Sequence, residues 1–251
     1  MFPIIFSNRI PAALAALVLG ATAVSAASIT VEPFDPASHN TVPSRNVFQD
    51  FETLGQAGGE REIANGFATN VGTFSTLGGL GSGGTVVPLP GPDAIHGNQL
   101  ALRTGNVYGR DNTSPGGGAW FLDSNDTHGM VWDLALAGGG AFSRVSFTLT
   151  DAADVGAYLR ISTGSDSHEM RSDDKLDNGN EVLVTIDFGG PVTGAQIILA
   201  NYQANGIDYR RNDGFSIDGI QVAPIPLPAA VSLLAAALAA LGLVGRRRRA
   251  A

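Results

Sequence analysis

The chain has 251 residues, no Cys, 33 Gly and a formal net charge of −8 at pH 7. The lack of Cys excludes disulfide stapling and Cys-ligated zinc. The acidic balance argues against nucleic acid as a partner.

The first expected element is a targeting segment. Arg9 precedes an apolar run from Ile10 to Ala23, and Val24-Ser25-Ala26 then supplies small residues at signal-peptidase spacing, with Ser25-Ala26-Ala27 as a second register. The run is short for a membrane span and fits a cleaved secretory signal over residues 1–27; an uncleaved N-terminal anchor is the alternative.

The body, residues 28–223, reads as all-β. Short segments of two-residue alternation lie between Gly, Asn, Asp and Pro clusters, with little helical periodicity. Strands are expected at Val47 to Leu54, Val71 to Leu77, Asn98 to Thr104, Gly118 to Leu122 and Met130 to Leu136. Further strands are expected at Val145 to Thr150, Val155 to Ile161, Val182 to Asp187, Ala195 to Ala200 and Phe215 to Val222. About ten strands suit two antiparallel sheets of four to five, a jelly-roll sandwich. Gly78 to Gly84 reads as a flexible connection, and Ser165 to Asn180 as the longest exposed loop.

The last 28 residues form a tail of three parts. Pro224-Ile225-Pro226-Leu227-Pro228 is an extended spacer, because alternating prolines cannot be helical. Ala229 to Gly245 carries no charge and as a helix would be about 25 Å long. Arg246, Arg247, Arg248 and Arg249 then hold that end in the cytoplasm, with the body on the other side. A plain single-span anchor fits these parts. Without Arg9 and these four arginines, ten basic residues face 23 acidic ones, so the body carries about −13.

The order of parts resembles the PEP-CTERM class of sorting signals, above all its VPLPA-CTERM variety, with Ile225, Pro226, Leu227, Pro228 and Ala229 at the motif. Ile225 departs from the usual Val. The resemblance implies an exosortase-type membrane protease as partner, cleavage near the motif, and delivery to the cell surface or extracellular matrix of a Gram-negative bacterium. The tail helix would then be a transient inner-membrane anchor. Within the body, Phe48-Gln49-Asp50-Phe51-Glu52 and Asp213 to Ile220 look like the first and last strands of carbohydrate-binding-module-like jelly rolls. That resemblance implies that Glu52 and Asp218 are neighbours sharing a structural calcium.

Catalytic signals are sparse. His39, His96, His128 and His168 form no HxH or HxxxH pair, and no G-x-S-x-G elbow exists. Glu52 and Glu181 are the strand carboxylates a glycosidase would need, but nothing in the sequence sets them face to face. Besides Glu52 with Asp218, the acid clusters Asp123 to Asp126 and Asp173 to Asn178 are calcium candidates, each with a solvated turn as its alternative. Trp120 and Trp132 read as core residues. The loop from Tyr108 to Gly118 is the expected ligand loop, with Tyr108, Arg110, Asp111 and Asn112 as its contacts. The leading expectation is therefore a non-enzymatic surface or matrix protein. An exopolysaccharide-binding module is the second reading and a secreted glycan hydrolase the third.

Overall fold

The structure, a computed structural model, describes residues 27–39, 41–77, 99–113, 117–125, 127–153, 158–171, 176–201 and 214–225. In chain order the elements are β1 (Ser28–Pro33), α1 (Pro36–His39), β2 (Val47–Gln49), α2 (Glu52–Gly58), β3 (Arg61–Glu62), β4 (Phe67–Thr69) and β5 (Gly72–Thr76). There follow β6 (Ala101–Thr104), β7 (Trp120–Asp123), β8 (Gly129–Leu134), β9 (Phe142–Thr150) and β10 (Tyr158–Ser162). The last four are β11 (Ser167–Arg171), β12 (Glu181–Val192), β13 (Ala195–Ala200) and β14 (Ser216–Pro224). The segment 1–26, Gly78 to Gly84, His96, Asp173, Asp174, Pro226 to Ala229 and Arg246 to Arg249 lie outside the described residues. Among the described residues no helix is long and apolar enough to cross a membrane.

The strands form two antiparallel sheets, so the all-β expectation holds. The larger runs β1-β12-β9-β14-β7-β6-β3, and β2 pairs with β14 beside β7; the smaller runs β11-β10-β13-β8-β5-β4. With eight and six strands, the sheets exceed the four to five each expected from sequence. Their facing sides share one apolar core. Phe147, Leu149, Val184, Ile186 and Ile217 come from the larger sheet; Phe74, Trp132, Leu159, Ile161 and Leu199 come from the smaller. Trp132 stacks on Phe74 at 5.2 Å and meets Phe147 edge-on at 5.8 Å across the sheets. Its indole N–H donates to the Val71 carbonyl at 2.9 Å, the partner a buried indole needs.

Two expectations are corrected. The strand expected through Leu54 stops at Gln49, because local side chains turn the backbone. The Gln49 side chain accepts the Phe51 N–H at 2.7 Å, and Asp50 accepts the Glu52 N–H at 3.2 Å. Phe51 takes φ 59°, and α2 begins at Glu52, which is therefore helical rather than in a strand. The loop expected over Ser165 to Asn180 contains β11, which pairs along its length with β10 and buries Met170 opposite Leu159.

Candidate functional site

The outer face of the larger sheet is polar in sequence yet buried at its centre. Along β14 every residue from Ser216 to Ile220 is buried, as is every residue of β9 from Phe147 to Thr150. A half-exposed sheet would alternate there. The second covering layer is the loop from Gly105 to Thr113, folded across β6, β7, β9 and β14.

Two sets of contacts pin it. On the β6–β7 side, Arg110 reaches Asp123 at 3.2 Å, with Arg103 4.0 Å from the same carboxylate. All three side chains are at most 2% exposed. Arg103 also pairs with Glu60 at 3.3 Å. On the β9–β14 side, one Asp218 oxygen accepts the Asn112 amide at 2.8 Å and the Thr113 N–H at 3.0 Å. The Thr113 and Thr148 hydroxyls hydrogen-bond, as do those of Thr150 and Ser216. The Asp111 N–H donates to Thr150 at 3.0 Å, and Ser216 donates back to the Asp111 carbonyl at 3.2 Å.

The expected ligand loop therefore divides. Arg110 and Asn112 turn toward the sheet and fasten the loop. Tyr108 points outward and is 57% exposed. It occupies the first corner of a tight turn closed by reciprocal Val107 and Arg110 backbone bonds, with φ 56° at Tyr108 and 104° at Gly109. Left-handed backbone at a non-glycine residue is uncommon, and here it presents an aromatic ring to solvent. Asp111 lies near Glu181, at the start of β12. Desolvation first, and the Asp111 charge second, raise the Glu181 pKa above its ordinary value.

Glu52 and Asp218 are brought into one neighbourhood, though not by direct contact between strands. Glu52 Oε1 accepts the Ala119 and Trp120 N–H groups at 2.6 and 2.7 Å. Asn112, whose amide holds Asp218, also donates to the Trp120 carbonyl at 2.8 Å. The other Glu52 oxygen accepts the Gln56 amide at 3.4 Å. A calcium bound between Glu52 and Asp218 would compete with these donors and take further ligands from water. Among the described residues no group of three or more His, Asp or Glu side chains gathers around a metal position.

The other nominated residues are dispersed. His39 lies near Glu32 at 3.7 Å, at the end of α1. Asp123 belongs to the buried ion cluster, and Asn125 donates its backbone N–H to that carboxylate at 2.7 Å. Trp132 is in the core as expected, whereas Trp120 is half-buried against α2. Sequence reasoning missed Arg103, Glu60 and Asp123 as partners. Their signal was the consecutive apolar run Trp120-Phe121-Leu122, which marks a strand covered on both faces. No family model matches the chain, and no curated protein matches it.

Proposed function

We propose that this is an exported, non-enzymatic protein, sorted by an exosortase-type membrane protease to the cell surface or extracellular matrix, with a jelly-roll body. The observation that supports it best is where the packed strands lie along the chain. β1 begins at Ser28, directly after the small-residue processing site, and β14 closes at Pro224, directly before the motif. The Ile225 N–H donates to Ala141 at 2.8 Å, the last described contact before the rest of the motif. Cleavage at either end would leave all strands of the body intact.

The experiment is localisation of the tagged chain with and without Ile225 to Ala251 in the native host. Surface labelling that drops on deletion, with the protein released or held in the periplasm, is expected. Equal surface labelling of both forms refutes the sorting reading.

Exopolysaccharide binding is the second reading, favoured by the exposed Tyr108 on its strained turn. Glycan hydrolysis draws little support. Glu52 anchors the β7 backbone, and Glu181 sits beside Asp111 at a strand end rather than across a cleft. Neither Glu lines the groove over the smaller sheet or the one beside β2.

A further inference from the structure

The outer face of the smaller sheet carries a groove far from the Tyr108 loop. In β10, Leu159 and Ile161 enter the core, so Arg160 and Ser162 point outward. In β13, Ile197 and Leu199 are buried, so Gln196 and Ile198 point outward. Ser162 stands opposite Ile198 in the ladder, which sets these four on one surface. The turn Thr163 to Asp166 rises at one end and closes a groove of about 470 Å³.

The groove is preorganised. The Thr163 N–H donates to the Asp166 carbonyl at 3.0 Å, and Gly164 takes φ 84°, which fixes the turn. Asp166 Oδ2 accepts the Ile29 N–H at 3.1 Å and so ties the turn to β1. Arg160 donates to Ser167 at 3.3 Å, which holds its guanidinium over the sheet. Gln196 commits its Nε2 to Asp133 at 2.9 Å, which leaves its Oε1 to accept. Side chains fixed before binding lose less entropy when a ligand arrives.

Its chemistry selects a ligand class. Planar donors and acceptors on Arg160, Gln196 and Asp166 match vicinal hydroxyls, which donate and accept together. The half-buried Ile198 offers a small apolar floor to the C–H face of a ring. The Arg160 charge is offset by Asp166 in the groove and by Asp133 beside Gln196. The body around them carries about −13, ten basic against 23 acidic residues, which repels polyanions. We infer that this groove binds a neutral polysaccharide chain, held by hydrogen bonds rather than by aromatic stacking. The inference deepens the matrix reading above and rests on it for where the polymer is met.

The test is affinity electrophoresis of the full-length chain in mild detergent, through gels containing galactomannan, xylan, dextran, hydroxyethylcellulose or polygalacturonate. Retardation by at least one neutral polymer is expected. It should fall at least five-fold in the Arg160→Ala/Gln196→Ala variant, whose exposed side chains leave the melting temperature unmoved. Ser162→Trp, which fills the groove without removing charge, should act likewise. Four results overturn the inference: no retardation by any neutral polymer, stronger retardation by polygalacturonate, unchanged retardation of both variants, or loss only on Tyr108→Ala. A chain retarded in the gel but absent from the surface fails the sorting reading alone. One at the surface but not retarded fails this inference alone.

Discussion

Replacing Gly55 by Ala should destabilise the protein, against the usual rule for helices. Gly55 lies within α2 and is buried, and its N–H donates to Phe51 at 2.8 Å. In a free helix Gly→Ala gains about 1 kcal/mol. Here the added Cβ would fall 2.0 Å from Trp120 Cδ2 and 2.3 Å from Cγ and Cε3. Ordinary carbon contacts need about 3.5–4.0 Å, so helix and ring must part by roughly 1.5 Å. The Trp120 main chain is held, its backbone N–H by Glu52 and its carbonyl by Asn112, so the strain falls on the indole rotamer and on α2. Overpacking of this kind costs about 1–3 kcal/mol net, or roughly 3–10 °C in melting temperature for a body of this size. Differential scanning calorimetry of Gly55→Ala and Gly58→Ala makes the comparison internal. At Gly58 the new methyl meets the Arg61 guanidinium at 2.3 Å, the end of a long side chain that can swing away at the cost of its bonds to the Gly59 and Leu54 carbonyls, which offsets the helical gain and leaves that variant close to neutral. In a Trp120→Ala background, Gly55→Ala should recover the helical gain. A Gly55→Ala protein as stable as the parent would refute the argument.

Asp123→Ala takes the carboxylate from buried Arg110, while Arg103 keeps Glu60, and should lower stability by about 3 kcal/mol, read from the urea midpoint. Glu181 has its folded pKa raised by desolvation and by Asp111. Its contribution is therefore full below its unfolded pKa and lost as pH rises through the folded one, so Glu181→Gln should melt higher than the parent at pH 7 but not at pH 3. Asp187 behaves oppositely. The Gly189 N–H first and Arg144 second lower its pKa, so its contribution is present above the unfolded value and lost as pH falls through the folded one. Arg144→Gln should shrink that acid-side loss, a small effect at so exposed a pair, seen by melting between pH 2 and pH 6. If Glu52 and Asp218 share a calcium, excess calcium should raise the melting temperature over a chelated sample, and Asp218→Asn should abolish the difference. Identical melts with and without chelator would end the calcium proposal.

Period-two alternation located most strands, because one face of each meets a continuous core. Ala195 to Ala200 is read to the residue as β13. Elements set by particular side chains were less legible. The break at Phe51 depends on Gln49 and Asp50 folding back on the main chain, which no alternation pattern encodes. β11 carries one buried apolar side chain, Met170, among polar ones, and becomes a strand only because β10 offers it a ladder. The donors and acceptors of the loop from Tyr108 to Gly118 mark it in sequence as a ligand loop. Its Arg and Asn are polar because they meet Asp123 and Asp218 on a buried outer sheet face. A polar loop over a polar buried layer has the same composition as a solvated one. The groove on the smaller sheet is hidden in sequence for a related reason: Arg160, Ser162 and Gln196 look like ordinary outward positions until the Thr163 to Asp166 turn rises beside them.

The two ends of the body differ in how they would carry mechanical force. β1 is an edge strand, paired with β12 and tied besides by the Ile29 N–H to Asp166, and would peel away one hydrogen bond at a time. β14 is interior, with β9 on one flank and β7 and β2 on the other. Tension applied along the chain from Pro224 would enter a strand clamped on both sides, so many ladder bonds would share the load in shear before any one failed. The C-terminal end is thus the sturdier handle, and under the sorting proposal it is the end that would bear the attachment.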